Sequence, residues 1–285
     1  SFSDLVYAYD VKTQKWEKLP RRPSKAHGYQ LAAYKNSLYA FGGFAYEEDN
    51  SPKWKSLDVI ERYDIEEKKW EVVGHMPRRR SSNVVSRVGD KVYLIGGWDS
   101  TPKFEGDFNG TFLKKIDVFD LKTEEIKVSP YELPKKRRAF NDVVKDGKIY
   151  LVGGISEGAR QFNLLKNVTR FNPKTGEFTE LAPLPFGTFA PATGILDGKL
   201  FVFGGMLQTG KMAYEYISHI YQMDLKSQEW SHTGRYLSES KGFSQVVKWE
   251  DKLGVLGGHT YQDDRDEPVK TFEIFDVKEF SENCR

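Results

Sequence analysis

Short basic segments recur along the chain, each close to the start of an apolar stretch. They read Leu19-Pro20-Arg21-Arg22, Met76-Pro77-Arg78-Arg79-Arg80 and Leu133-Pro134-Lys135-Lys136-Arg137-Arg138, and Lys241 has the corresponding place later in the chain. A further segment, Leu184-Pro185-Phe186-Gly187-Thr188-Phe189, carries no charge. Arginine can bind a carboxylate or a phosphate through two parallel hydrogen bonds. Cations that converge from several such segments would therefore form a site for an anionic ligand.

A repeated run of apolar residues closed by two glycines determines where the basic segments fall. The run ends at Gly42-Gly43, Gly96-Gly97, Gly153-Gly154, Gly204-Gly205 and Gly257-Gly258, and in the last copy Gly254 replaces the aromatic residue of the others. The first glycines of successive pairs are 51 to 57 residues apart. A nearly constant period of this size indicates an array of similar units. Because glycine in a strand costs about 0.5–1 kcal/mol, a recurring pair needs a geometric reason. We expect it to allow close approach to the aromatic residue of a neighbouring unit.

Each unit is predicted to consist of four antiparallel strands. Asp146-Gly147 and Asp197-Gly198 separate apolar runs and are strong hairpin signals. A bulky apolar residue followed by Asp or Asn, with a second bulky residue further on, marks strands 3 and 4. The copies are Tyr9-Asp10 with Trp16, Tyr63-Asp64 with Trp70, Phe119-Asp120 with Ile126, Phe171-Asn172 with Phe178, Met223-Asp224 with Trp230, and Phe275-Asp276, where Glu282 replaces the second bulky residue.

These phrases resemble the kelch repeat over almost the whole chain. The resemblance implies an all-β fold, a kelch-type β-propeller with four antiparallel strands per blade. Six blades are favoured, one of them incomplete at the N-terminus, because the strand 3 phrase occurs once more than the glycine pair; five blades is the alternative. The implied single domain, 1–285, divides into 1–20 as the back half of a blade, blades at 21–77, 78–134, 135–185 and 186–240, and a last blade at 241–285.

Recognition is expected on the face formed by the long loops after the glycine pairs, since the strands serve as scaffold. These loops are 44–57, 98–114, 155–166, 206–217 and 259–270, and their aromatic residues include Phe44, Tyr46, Trp54, Trp98, Phe104 and Tyr261. The resemblance implies an adaptor that binds a protein partner or an acidic peptide. By similarity to kelch adaptors, the expected contact residues are Arg79, Arg80, Arg137 and Arg138, with Lys241, Trp98 and Tyr261 on the same face. The alternative is structural: arginines that pair with neighbouring loops, and aromatic residues that pack on the adjacent blade.

A sugar-processing enzyme is the alternative function, because the fold is also similar to that of N-acetylneuraminate epimerase. Arginines near the channel mouth would suit a sugar carboxylate, and Arg160 with Glu157, and Glu215, fall in suitable loops. No spacing selects a general acid or base among them. The histidines, at 27, 75, 219, 232 and 259, are scattered, so neither a metal site nor another cofactor is expected. A third possibility is a propeller attached to a further domain on which its function depends.

The composition disfavours several broad classes of protein. A net charge of +2, from 43 basic and 41 acidic residues, gives no general attraction to nucleic acid or to an anionic membrane. No apolar run approaches the roughly 20 residues of a membrane-spanning helix. The one cysteine, Cys284, has no disulfide partner, which favours a reducing, cytoplasmic compartment without excluding secretion. Glycosylation sequons at Asn109 and Asn167 would matter only in a secreted protein.

Overall fold

The structure is a computed structural model that describes residues 2–46, 54–107, 109–158, 162–210, 213–262 and 265–280. The chain forms two compact units, Ser1–Arg138 (unit 1) and Ala139–Arg285 (unit 2). Across the described residues the regular structure is β-strand, apart from one turn of 3-10 helix at Val277–Glu279. No helix in this part of the chain has the length and apolar character needed to cross a bilayer. The predicted all-β class is therefore confirmed.

Unit 1 contains a hairpin and two four-stranded antiparallel sheets. The hairpin is β1 (Val6–Asp10) with β2 (Lys15–Leu19). Blade sheet 1 has the order β3 (Gln30–Tyr34), β4 (Ser37–Phe41), β7 (Val59–Asp64), β8 (Lys69–His75), and the loop after β4 forms β5 (Phe44–Tyr46) and β6 (Trp54–Ser56). Blade sheet 2 has the order β9 (Val84–Val88), β10 (Lys91–Ile95), β13 (Lys115–Asp120), β14 (Glu125–Glu132), and its loop forms β11 (Trp98–Asp99) and β12 (Thr111–Phe112).

Unit 2 repeats this plan three times. Blade sheet 3 has the order β15 (Asn141–Lys145), β16 (Lys148–Val152), β19 (Val168–Asn172), β20 (Glu177–Glu180), with loop strands β17 (Ile155–Ser156) and β18 (Asn163–Leu164). Blade sheet 4 has the order β21 (Ala192–Leu196), β22 (Lys199–Phe203), β25 (His219–Asp224), β26 (Trp230–Tyr236), with loop strands β23 (Met206–Gly210) and β24 (Ala213–Tyr216). Blade sheet 5 has three strands, β27 (Gln245–Trp249), β28 (Lys252–Leu256) and β31 (Phe272–Asp276), with loop strands β29 (His259–Gln262) and β30 (Arg265–Pro268).

The described residues therefore contain five blade sheets, which is the alternative count and not the preferred six. In the described residues 2–20 the strands are those of the hairpin β1–β2, which is a two-stranded sheet of its own, and Ser3 forms an isolated bridge to Ala26. Glu282, which replaces the second bulky residue in the last copy of the strand 3 and 4 pattern, lies outside the described residues. Each long loop after a glycine pair, predicted only as a loop, contains a short two-stranded hairpin. That the chain is a single domain stays a prediction.

The turn between strands 3 and 4 is stabilised by the Asp that follows the bulky apolar residue at the end of strand 3. Asp64 accepts hydrogen bonds from the backbone N–H groups of Glu66 and Glu67, both at 2.9 Å. Asp224 accepts from Lys226 and Ser227 at 2.8 Å, and these bonds lower the pKa of its carboxyl group. A short carboxylate that caps the next backbone amides is the physical reason for Asp in this phrase.

In blade sheets 1, 3 and 4 the glycine pair joins the sheet to the segment that leads into strand 1 of the following sheet. The second glycine donates its N–H to a backbone carbonyl there: Gly43 to Arg80 at 3.1 Å, Gly154 to Thr188 at 2.8 Å, and Gly205 to Lys241 at 2.9 Å. A Cβ on the first glycine, Gly42, would collide with the same Arg80 oxygen. The expected close approach is present, but its partner is this backbone segment, whereas the prediction placed an aromatic ring there.

Apolar cores between neighbouring sheets hold the loops in place within each unit. In unit 1, Phe41 and Ile60 of blade sheet 1 pack with Leu94 and Phe119 of blade sheet 2, and the rings of Phe41 and Phe119 are 5.5 Å apart. In unit 2, a second core joins blade sheets 4 and 5. Loops at the ends of strands packed in this way are presented by a rigid scaffold.

Candidate functional site

The basic residues that precede strand 1 form buried ion pairs with strand 3 of their own sheet. Arg80 is fully buried, donates to the carbonyl oxygens of Leu94 and Gly96 at 2.9 and 3.1 Å, and pairs with the Asp117 carboxylate at 2.5 Å. Burial lowers the pKa of Arg80 to about 10, and Asp117 opposes this shift. The guanidinium group therefore stays charged at neutral pH and links the pre-strand segment to β13.

Two other sheets repeat this arrangement. In blade sheet 1, Arg22 pairs with Glu61 at 2.6 Å and lies 3.8 Å from the centre of the Tyr29 ring. In blade sheet 5, the Lys241 ammonium group contacts Glu273 at 2.5 Å and Thr271 at 2.8 Å. Like Asp117, Glu61 and Glu273 precede the turn aspartate of strand 3 by the same number of positions.

Blade sheet 4, whose pre-strand segment lacks charge, has an aromatic pair in place of the ion pair. Phe186 and Tyr221 make an edge-to-face contact with ring centres 4.9 Å apart. Phe186 has the place of Arg78, which pairs with Asp117 at 2.6 Å, and Tyr221 has the place of Asp117. In blade sheet 4 the pre-strand residue and its strand 3 partner thus change together, whereas blade sheet 3 keeps Arg137 and has Thr169 in the place of Asp117. The acidic residue at this place identifies Glu61, Asp117 and Glu273, which were not among the predicted site residues.

Burial changes the predicted set of contact residues. Arg80, Arg137 and Lys241 are each at most 3% exposed, so the described surface does not present their side chains to a partner. The physical reason at Arg80 and Lys241 is the strand 3 carboxylate, which holds the cation inside the sheet. Arg79 is exposed and donates a long hydrogen bond, 3.4 Å, to Thr101. Arg160 lies outside the described residues.

A row of part-exposed aromatic residues crosses the long-loop side of unit 1. We call it the aromatic strip; its members are Phe2, His27, Phe44, Tyr46 and Trp98. The rings of Phe44 and Trp98 are nearly parallel, with centres 6.4 Å apart, and Phe2 lies 5.4 Å from Phe44. Of these residues, Phe44, Tyr46 and Trp98 were noted from the sequence as loop aromatics. Phe2 was not, because it lies far from any glycine pair.

The loop hairpins and the pre-strand segments position the aromatic strip together. Phe44 begins β5 and is bridged to His27 by two backbone hydrogen bonds of 3.0 and 2.7 Å. Trp98 begins β11 and is bridged to Ser81 in the same way, next to the buried Arg80. The ion pair of Arg80 therefore fixes the backbone from which the Trp98 ring is presented.

Arg138 places a positive charge at one end of the aromatic strip. Its guanidinium carbon lies 4.0 Å from the centre of the Trp98 ring and 5.4 Å from that of Phe112. Burial lowers the pKa of Arg138 to about 10, so the side chain stays protonated at neutral pH. A partly desolvated cation on an aromatic face interacts strongly with a carboxylate that reaches it.

Tyr261, also predicted to bind a partner, belongs to a cluster in unit 2. Its side chain is 62% exposed, and its ring centre lies 6.3 Å from that of Tyr216. The Tyr216 hydroxyl donates to Asp266 at 2.8 Å, and the other oxygen of Asp266 is 3.1 Å from His259 Nδ1. Burial and the bond to Asp266 raise the pKa of Tyr216. Tyr216 therefore stays a hydrogen-bond donor at neutral pH and holds the Asp266 carboxylate in place.

Two histidines and two tyrosines form a second ring cluster in unit 2, on β25 and β26. The rings of His219 and His232 are 5.4 Å apart, and Tyr221 and Tyr236 lie 5.1 and 5.0 Å from His232. The Gly234 N–H donates to His232 Nδ1 at 3.0 Å, so in the neutral ring the proton is on Nε2. That tautomer has no lone pair on Nε2 for a metal ion. Within the described ranges, no group of three or more His, Cys, Asp or Glu side chains could hold one.

We expect the His232 environment to make unit 2 sensitive to mild acid. Burial, and repulsion from His219, lower the pKa of His232 from its ordinary value of 6.5. The unfolded chain then binds this proton more readily than the folded chain, so stability falls as the pH drops below about 6.5. Thermal unfolding followed from about pH 7.5 to pH 5.5 should show a larger loss for the native chain than for His232→Gln. If the native chain and His232→Gln lose the same stability, a group other than His232 causes the sensitivity to acid.

The strand order, glycine pairs and strand 3 links define a repeated β-sheet protein of the propeller type. A family model described as "KLHDC2/KLHL20/DRC7 Kelch-repeats domain" matches residues 1–205. The chain therefore belongs to the kelch-repeat family. The predicted family is confirmed by a match that covers most of the chain.

Similar proteins agree with this assignment. The human "Kelch repeat and BTB domain-containing protein 12" is 27% identical over 238 residues, which are 79% of this chain and 37% of that protein. The rat "Kelch domain-containing protein 3" is 26% identical over 215 residues, which are 71% of this chain and 54% of that protein. The chain thus spans about a third to a half of the length of these relatives. A solved structure, "Structure of YjhT", covers 98% of this chain with a TM-score of 0.80 at 18% identity, which confirms the kelch-type β-propeller fold.

Proposed function

We propose that this chain is a protein-binding module, and that unit 1 contacts its partner through the aromatic strip, Arg138 and Arg79. We further propose that the partner contributes an acidic segment with an apolar side chain beside it. Membership of the kelch-repeat family favours a protein partner in general. The choice of surface depends on the features of unit 1.

The observation that carries the proposal is the stack from Phe44 through Trp98 to Arg138. Tryptophan and arginine are the residues that most often dominate binding energy when they are held in rigid, partly desolvated positions. The Trp98 backbone is bridged to Ser81, which follows Arg80, and the Arg138 guanidinium carbon lies 4.0 Å from the centre of the Trp98 ring. The apolar rings can receive an apolar side chain, and the Arg138 charge can receive a neighbouring carboxylate. Arg80 and Arg137 are assigned a positioning role because they are buried.

Peptides selected from a phage-displayed random library test this proposal. We expect the selected sequences to be acidic, and their affinity, measured by fluorescence polarisation, to fall as salt concentration rises. Trp98→Ala should weaken binding about tenfold or more, since central aromatic residues contribute about 2 kcal/mol or more. Arg138→Gln should weaken the acidic peptide more than a version in which Asp and Glu are replaced by Asn and Gln.

Two control variants remove the same kinds of side chain elsewhere in unit 1. Trp16→Ala removes a 55% exposed indole from the hairpin β1–β2, and Lys127→Gln removes a cation that is 80% exposed on β14. Both should leave the affinity unchanged. If Trp98→Ala keeps its native unfolding temperature and still binds the peptides as tightly as the native chain, the aromatic strip is not the contact surface. Selection of neutral peptides only would reject the acidic partner.

A further inference from the structure

Phe243, in the segment that leads into β27, is an exposed aromatic residue in a strained backbone conformation. It has φ 57, in the left-handed region that residues with a Cβ rarely adopt, and it is 47% exposed. In the other four blade sheets the residue two positions before strand 1 also has a positive φ, but it is small: Gly28, Ser82, Ala139 and Ala190. Packing alone does not explain a large ring at this position, because nearly half of its surface faces solvent. Strain of this kind is typical of functional sites.

Backbone and ring contacts hold Phe243 in place. Its N–H donates to the Ala190 carbonyl at 2.9 Å. Its ring meets the Phe189 ring nearly edge to face, with centres 6.2 Å apart, and lies 6.1 Å from the His259 ring. The preceding residue, Gly242, is bridged to His259 by two backbone hydrogen bonds of 3.0 and 2.9 Å. The Phe243 ring is therefore presented in a fixed position.

The Asp266 carboxylate lies next to these rings and joins them to Tyr216 and Tyr261. Its side chain is 49% exposed; one oxygen accepts from the Tyr216 hydroxyl at 2.8 Å, and the other is 3.1 Å from His259 Nδ1. An ionised carboxylate can only accept, so the His259 proton is on Nδ1. No lysine or arginine in the described part of the chain forms an ion pair with Asp266. The carboxylate is therefore open to a cation from another molecule.

We call the aromatic residues around Asp266 the Phe243 patch; its members are Phe189, Tyr216, Phe243, His259 and Tyr261. Tyr261 and Asp266 are directly opposite each other in the hairpin β29–β30, so their side chains share one side of it. Arg265 and Glu267 flank Asp266 in β30 and lie on the other side. A cation that reaches Asp266 would thus meet one carboxylate among aromatic rings, which also attract cations.

We propose that the Phe243 patch binds a segment of a partner protein that carries a lysine or arginine next to an apolar side chain. The cation would pair with Asp266 beside the exposed Tyr261 ring, and the apolar side chain would pack on Phe243 and Phe189. All of these residues belong to unit 2, and none belongs to the aromatic strip. The charge at this patch is opposite to that of Arg138, so the proposal does not depend on the acidic partner assigned to unit 1.

NMR titration of the isotope-labelled full chain with two capped dipeptides tests the proposal. N-acetyl-leucyl-arginine amide should shift the backbone amide signals of Phe243, His259 and Tyr261, with a Kd of about millimolar, because one half-exposed ion pair and a few apolar contacts contribute little free energy. N-acetyl-leucyl-glutamine amide should bind at least threefold more weakly. Asp266→Asn keeps an acceptor for Tyr216 and removes the charge, so it should abolish this difference. Phe243→Gly should weaken both dipeptides about threefold or more, since it removes the apolar contact.

Two control variants remove similar groups elsewhere in unit 2. Glu267→Gln removes an exposed charge from the other side of the hairpin, and Trp249→Ala removes a 37% exposed ring from the far end of β27; both should bind normally. Phe243→Gly should unfold at or near the native temperature, because glycine adopts a positive φ without steric cost. A clear loss of stability in Phe243→Gly with normal binding would show that the ring is structural and overturn the proposal. Equal affinity of the native chain for the two dipeptides, or no shift at the patch with either, would also overturn it.

Discussion

Replacing Asp117 with alanine should destabilise unit 1 more than any other single loss of charge in it. Asp117 is fully buried and pairs with two arginines, Arg80 at 2.5 Å and Arg78 at 2.6 Å. The substitution leaves the fully buried Arg80 cation without its counter-charge, and breaking a buried pair in this way costs about 3–5 kcal/mol. We expect a fall in Tm of roughly 10 °C, measured by calorimetry.

Two control variants test whether the stability lost in Asp117→Ala comes from the buried ion pair: one removes an exposed acid, and the other removes both members of the pair. Glu125→Ala removes a carboxylate that is 63% exposed and 3.3 Å from Lys127, and it should change stability by less than about 0.5 kcal/mol. Arg80→Met combined with Asp117→Leu removes both charges of the fully buried pair and leaves Arg78, which is 23% exposed, to be solvated by water. It should recover most of the stability, since apolar replacements of a buried pair are often neutral. If Asp117→Ala behaves like Glu125→Ala, the Arg80 guanidinium has another way to be solvated and the structural role assigned to the pair is wrong.

This prediction also concerns how Arg80 is tested as a binding residue. Removal of Arg80 alters the segment that is bridged to Trp98, so a loss of peptide binding in Arg80→Ala would reflect a displaced Trp98. Arg138→Gln leaves the backbone bridge between Ser81 and Trp98 in place, because Arg138 contacts Trp98 through its side chain. The two variants should therefore differ: Arg80→Ala lowers both Tm and affinity, and Arg138→Gln lowers affinity with little change in Tm.

The sheets could be predicted from the sequence because their signals are local. An Asp-Gly turn or an Asp that caps the next amides requires only neighbouring residues, and a bulky residue followed by Asp or Asn recurs on strand 3 of every blade sheet. The loop hairpins were missed since β11 and β17 have two residues each, too few for an alternating pattern. The number of blade sheets was overestimated because the Tyr9-Asp10 phrase marks strands 3 and 4 only, and a phrase of this kind does not require strands 1 and 2.

The candidate site was harder to predict because burial depends on partners that are distant in sequence. Arg80 and Arg79 are adjacent and of the same type, yet Arg80 is buried and Arg79 is exposed. What separates them is Asp117, 37 residues later, which contacts Arg80. Comparison of repeats gives only part of this signal: the uncharged Phe186 segment is matched by Tyr221 on strand 3, but blade sheet 3 keeps Arg137 and has Thr169 in the place of Asp117. The position of Phe2 in the aromatic strip has no such signal in the repeats.

Gly42→Ala should be the second strongly destabilising change. The main reason is that the new Cβ would collide with neighbouring atoms, and the strained backbone conformation is the smaller contribution. Gly42 has φ +59, a conformation that costs a residue with a Cβ about 1–2 kcal/mol. The fold tolerates this conformation at Ala139 and Ala190, with φ 51 and 53. At Gly42, however, the new Cβ would also meet the Arg80 carbonyl oxygen, the Met76 methyl carbon at 2.8 Å and the Leu57 carbonyl oxygen at 3.1 Å. Two of these atoms belong to the backbone and cannot rotate away.

Gly89→Ala is the control that separates the two contributions. Gly89 lies in the turn between β9 and β10 with φ +62, and a Cβ there would meet nothing within 4 Å. Urea unfolding should show a loss of about 1 kcal/mol for Gly89→Ala and of about 3 kcal/mol or more for Gly42→Ala. The difference between the two losses measures how much the close contact of the glycine pair with the next pre-strand segment contributes to stability. The hydrogen bond from the Gly43 N–H to the Arg80 carbonyl depends on the same close contact. Equal losses would mean that the pair is kept for its backbone conformation alone, and that the hydrogen bond from Gly43 can lengthen without cost.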